Sequence, residues 1–145
     1  MRSLVVLAVA LAVSLTAFAA ADAFQTWSQQ HKAASAALTQ WIDKHPDSAR
    51  EIFRWDGLHP ERTKAFIDWA IDNKNDDAVA FHTKHNDWPE YQTLLDKHRF
   101  ALDDLAAWAR KFPDDAKALM QRPRALESAG KHAKPPPVKS GQAKK

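Results

Sequence analysis

The sequence predicts an all-α protein whose short helices pack as a compact bundle or a short superhelix. Three observations lead there. Tryptophan recurs every fourteen residues at Trp27, Trp41, Trp55 and Trp69. A His-Pro pair follows two of these indoles at His45-Pro46 and His59-Pro60, and Phe112-Pro113 holds the same place after Trp108. No stretch alternates apolar and polar residues with the period of two that a half-buried strand requires.

With each Trp as position zero, segments 27–40, 41–54 and 55–68 align without gaps. Position four is His31, His45 and His59, position eight is Ser35, Ala49 and Thr63, and position eleven is Leu38, Ile52 and Phe66. The pattern returns at Leu94, with His98, and again at Trp108. Between Trp69 and Leu94 the spacing slips, and Ala80-Phe81 stands in for one rung. A fixed period marks stacked units that cannot bury their apolar faces alone. Fourteen residues hold one helix and one turn, so the helical hairpin of a tetratricopeptide repeat does not fit.

Proline sets the phase. It lacks an N–H and disfavours helical geometry in the residue before it, so helices should stop ahead of His45, His59 and Phe112. It suits the first helical position, where a donor would go unused. Acids follow each proline, at Asp47, Glu61 and Asp114-Asp115, where negative charge complements the helix dipole. Within the second unit Ala49, Ile52, Phe53 and Trp55 lie at the spacing of one buried stripe. Gly57 reads as the residue that ends that helix, with Leu58 as its hydrophobic contact. The expected helices cover 23–44, 46–56, 60–74, 76–85, 88–97, 100–111 and 113–121, with a weaker turn at 123–129. Helices of about ten residues are marginal alone and must hold each other through tertiary contacts. Trp27, Trp41, Trp55, Trp69 and Trp108 are therefore expected in the core, with His-Pro as the corner that starts the next helix.

The two ends read differently. Met1-Arg2, the apolar run Leu4 to Phe18 and the small residues Ala17 to Ala21 have the pattern of a cleaved signal peptide, predicted over residues 1–21. The chain is then expected in a bacterial periplasm or outside the cell. Residues 22–130 form the expected single domain, and 131–145 a disordered basic tail with five lysines, three consecutive prolines and no acid. Setting aside Arg2 and those lysines leaves 15 basic against 18 acidic residues, so the basic pI belongs to the tail. A nucleic-acid role, which wants basic residues on the folded surface, is not expected. Without any cysteine there is no disulfide, thiol catalysis or cysteine zinc site. Serines lack a G-x-S-x-G context, and no phosphate-gripping loop or H-E-x-x-H helix is present, so an enzyme is not expected.

What remains is binding. Phe81, Trp88 and Tyr91 lie where the period slips and are expected to form an exposed aromatic patch for a protein or peptide partner. His82 and His85 are three apart on one helix face, a spacing that can place two imidazoles on one metal ion with Asp87 or Glu90 as oxygen ligand. No cofactor is expected. The tail lysines suit an anionic envelope surface. The leading expectation is a non-enzymatic helical protein that binds another protein or peptide in the cell envelope. The alternatives are a metal or stress-ion binder at His82 and His85, or a structural envelope component. Small exported helical stress chaperones are similar in size and character, but their L-T-x-x-Q motif is not met, since Ile42 stands where Gln belongs after Leu38-Thr39.

Overall fold

In the computed structural model, which describes residues 24–122 and 124–132, a single residue separates most consecutive helices. Residues 24–30 are helical (α1) and are followed by α2 (Lys32–Lys44), α3 (Pro46–Leu58) and α4 (Pro60–Asp72). Then come α5 (Ala78–Lys84), α6 (Pro89–Lys111), α7 (Pro113–Met120) and α8 (Ala125–His132). The expected all-α class holds. The predicted signal peptide and most of the predicted tail lie outside the described residues. Among the described residues no helix is long and apolar enough to cross a membrane.

Each corner residue serves two helices. His31, His45, His59 and Phe112 have φ between −138° and −125° and ψ between 58° and 66°. Their N–H groups donate to the carbonyl of the Trp four residues back, at 2.9 Å for Trp27 and Trp41, 2.7 Å for Trp55 and 3.0 Å for Trp108. Their own carbonyls accept from Ser35, Ala49, Thr63 and Ala116, four residues on, at 2.8–3.3 Å. The chain therefore bends while few backbone groups are orphaned, which limits the cost of ending a helix. Pro46, Pro60 and Pro113 stand at the first helical position, as expected.

Several boundaries differ from expectation. The helix predicted over 23–44 breaks at His31, a position-four residue that bends like the others although Lys32, not proline, follows it. The predicted pair 88–97 and 100–111, by contrast, stands: the two meet within α6 at His98, whose backbone is not helical (φ −133°, ψ 32°). The turn expected at 123–129 is the helix α8. Gly57 does not end α3. It is helical and buried, and Leu58 beside it is 66% exposed. A Cβ there would meet the Glu127 carboxylate of α8, the end of a flexible side chain that would have to swing aside. Gly130 is the stricter point, because a Cβ would lie 2.7 Å from the buried Phe53 ring, which has less freedom to move. Small residues at these two points let α8 lie close against α3.

The packing closes into a bundle rather than an open superhelix. α6 runs through the middle and touches α2, α3, α4, α5 and α7, while α8 lies on α3 and α7. The five ladder indoles are at most 6% exposed, so all are core, as predicted. Three of them also carry hydrogen bonds between distant segments. Trp27 Nε1 donates to Asp115 O, Trp41 Nε1 to Ala101 O and Trp108 Nε1 to Ala34 O, each at 2.9 Å. In every case the acceptor lies seven residues after the start of another segment. Trp27 and Trp108 thus exchange bonds reciprocally, which locks α1 and α2 antiparallel to α6 and α7. Trp55 and Trp69 have no partner for their buried Nε1.

Asp56 anchors α8. Its buried carboxylate accepts from the Glu127 amide at 3.1 Å, in the first turn of that helix, and from the Thr63 hydroxyl. Burial pushes its carboxyl above the ordinary carboxylate range, against the lowering effect of those bonds. The native chain therefore holds this proton more tightly than the unfolded chain does. The resulting stabilisation is complete below the unfolded-state pKa and is lost as pH rises through the folded one. Asp56→Asn can still accept from the Glu127 amide while donating to Thr63, whose hydroxyl turns to Pro60 O at 3.0 Å. Thermal melts should therefore show the variant gaining on the parent between pH 4 and pH 7. A parent that gains on the variant over that range would contradict the assignment.

Candidate functional site

The segment expected to present aromatics does not. Phe81 and Tyr91 are fully buried, so the predicted exposed patch is corrected to core for both. The reason lies in the slip. Phe81 takes the place of a ladder Trp, with its carbonyl accepting from His85 N at 3.2 Å and its ring edge-on to Phe66 at 5.2 Å and Tyr91 at 5.0 Å. Tyr91 lays α6 on α5 and donates its hydroxyl to Ala78 O at 2.7 Å. Burial pushes that phenol far above its ordinary range, so it stays a donor. Trp88 alone is half-buried. Its ring is stacked on His85 at 4.0 Å, and the Arg62 guanidinium lies 4.9 Å from its centroid.

The two histidines of the metal expectation are also held by rings. His82 stacks on Tyr91 at 6.3 Å, with its Nε2 buried and unpartnered, while His85 stacks on Trp88. Glu90, expected as an oxygen ligand, is taken by Arg62 at 3.0 Å with His59 3.9 Å away. A bond from its own backbone amide, aided by the Arg62 charge, holds the Glu90 carboxyl below the ordinary range. Among the described residues no group of three or more His, Asp or Glu side chains gathers as metal ligands.

The corner histidines reach across to other helices instead of capping their own. His31 Nδ1 pairs with Asp115, His45 Nε2 with Asp104 at 2.7 Å, and His98 Nδ1 with Ser48 at 2.8 Å. From sequence the adjacent acids Asp76-Asp77, Asp103-Asp104 and Asp114-Asp115 read as caps at helix starts rather than as acid–base pairs. Asp77 does so, accepting from Ala80 N at 3.1 Å. Asp103 is corrected: it lies mid-helix and accepts from Ala78 N of another helix at 2.8 Å. Asp104 and Asp115 are histidine partners. Burial pushes the Asp104 carboxyl up, but bonds from His45 and Lys44 outweigh it, and the group sits below its ordinary value.

Two surface clefts lie among the described residues. One, of about 350 Å³, is bounded by Asp47, Arg50, Glu51, Thr93, Lys97 and His98. Its charges partly satisfy each other, with Arg50 and Asp47 3.6 Å apart. The other, of about 290 Å³, lies between α2 and α6 and is built differently. Its lining comes in matched pairs from two copies of the repeat: Trp41 with Trp108, Lys44 with Lys111, Gln40 with Ala107, and Ala37 with Asp104. Phe112 completes the lining. Both indoles spend their N–H on backbone carbonyls, so what they can offer a ligand is hydrocarbon.

The pairing breaks at one place. Lys44 lies 3.3 Å from Asp104, whereas the residue matching Asp104 near the other lysine is Ala37. Among the described residues no carboxylate is within ion-pair distance of Lys111, whose ammonium instead lies 5.6 Å from the Phe112 ring centroid. Sequence reasoning missed this groove. Its trace was present in the W-x-x-K-x-P-D shared by "WIDKHPD" at Trp41 and "WARKFPDD" at Trp108, which repeats a lysine three residues after the indole. No family model, curated protein or solved structure matches this chain.

Proposed function

We propose that this is an exported, non-enzymatic protein of the cell envelope that binds another protein or peptide in the groove between α2 and α6. One observation carries the reading. Two indoles whose polar groups are already spent line the groove, together with the small Ala37 and Ala107 and the lysines Lys44 and Lys111. Aromatic surfaces held rigid by a packed scaffold are what binding hot spots use. Export rests on the leader-like N-terminus, and the lysine-rich tail would keep the protein near an anionic surface.

Ala107 is exposed and lines the groove, so Ala107→Trp fills it without burdening the core. Immobilised parent protein should retain a specific polypeptide from envelope extract. The variant should lose it while keeping the same far-UV circular dichroism and melting temperature. Retention of the same polypeptide by the variant would rule out the groove as the binding surface.

A further inference from the structure

We propose that the groove selects a peptide segment in which one large apolar side chain is flanked by a carboxylate, and that the carboxylate sits on Lys111. The proposal deepens the peptide-binding reading and rests on it.

Size sets the first limit. Ligand pockets begin near about 300 Å³, and this groove holds about 290 Å³. It accommodates one large side chain and its neighbour, not the face of a whole helix. The hydrocarbon of Trp41 and Trp108 and the small Ala37 and Ala107 favour an aromatic or branched apolar group there. A polar group laid on the two indoles would lose water and gain no bond from them, because both N–H groups are committed at 2.9 Å.

Charge sets the second limit. The two lysines hold equivalent places in the repeat, yet their surroundings differ. Asp104 compensates Lys44 and is itself held by His45, so that end is electrically satisfied. At the other end Ala37 stands in place of the acid, and the Lys111 ammonium lies beside an aromatic ring with no carboxylate in ion-pair reach among the described residues. A ligand carboxylate at Lys111 would supply what the chain supplies to Lys44 from Asp104. Lys111 is exposed, so the preference has the size of a surface ion pair, about threefold in affinity. It should weaken as salt is added.

The test follows the indole Nε1–H signals of Trp41 and Trp108 in the ¹⁵N-labelled full chain. Three capped pentapeptides serve as probes: one carrying tryptophan followed by glutamate, one with glutamine in place of the glutamate, and one with alanine in place of the tryptophan. The glutamate peptide should shift both signals and bind about threefold more tightly than its glutamine counterpart. The alanine peptide should leave them in place. Lys111→Gln should equalise the first two peptides, and so should Ala37→Asp, which gives Lys111 the acid that Lys44 already has. Equal binding of the glutamate and glutamine peptides to the parent would overturn the carboxylate preference while leaving the groove as a peptide site. A preference that survives Lys111→Gln would also overturn it. If no peptide moves either signal, the peptide-binding reading itself fails.

Discussion

Trp27→Ala is expected to lower the unfolding free energy by about 3–5 kcal/mol, the usual cost of emptying a buried aromatic site. Trp27 is completely buried, with Phe24 5.6 Å away and Trp108 edge-on at 6.4 Å. Truncation removes both ring contacts and leaves Asp115 O without the indole that caps it at 2.9 Å. It also loosens the reciprocal bond from Trp108 to Ala34, because the two indoles pack together. A chain of this size commonly holds only about 5–15 kcal/mol in total. In urea the midpoint should fall sharply, and near 37 °C the variant should be partly unfolded. Trp27→Phe keeps most of the apolar bulk but not the N–H, so it should fall between parent and Ala. A midpoint for Trp27→Ala close to that of the parent would mean the indole is not the seal between the chain's two ends.

Arg110→Ala should be the next most damaging change, at about 2–4 kcal/mol. The Arg110 guanidinium donates to three backbone carbonyls, Ala70 O at 2.8 Å, Asn73 O at 2.8 Å and Asp76 O at 2.6 Å. One of these carbonyls lies in the last turn of α4 and two in the loop that leads to α5, where Asn73 O also accepts from Asp76 N at 3.2 Å. Bonds from a charged donor contribute about 1.5–3 kcal/mol each, less where water can replace them. The same group lies 5.7 Å from the Trp69 ring centroid, over an indole whose own N–H has no partner. Arg110→Lys should recover only a minor part, because a point charge cannot fork among three acceptors. Denaturation midpoints for the two variants check this. Full rescue by lysine would show that charge alone matters there.

Proline made the fold legible where it occurs. At Pro46, Pro60 and Pro113 the missing N–H and fixed φ act locally, so the helix starts were readable to the residue. The break at His31 was not, because Lys32 carries no local signal. That corner is held by bonds between segments 84 to 88 residues apart, from His31 and Trp27 to Asp115. The burial of Phe81 and Tyr91 was misread for a related reason. A slipped period looks like a departure from the core, yet Phe81 fills the vacated rung from a shorter helix. Gly57 was misread because the group it packs against, Glu127, lies far along the chain on α8.

The candidate site was less legible than the fold. Trp41 and Trp108 were read as core, and they are, but a residue 5% exposed can still floor a groove. Nothing local says that α2 and α6 lie side by side. Only the tertiary packing turns two copies of an indole–lysine pair into one surface, and only then does the exchange of Asp104 for Ala37 become a difference in charge.

Hydrogen exchange of the six indole Nε1–H groups reads the seal between helices most directly. The protons of Trp27, Trp41 and Trp108 should exchange only through global unfolding, while that of Trp88 exchanges through smaller openings. Ladder protons exchanging as fast as Trp88 in a chain of full helical content would show that these helices stand together without their tryptophans.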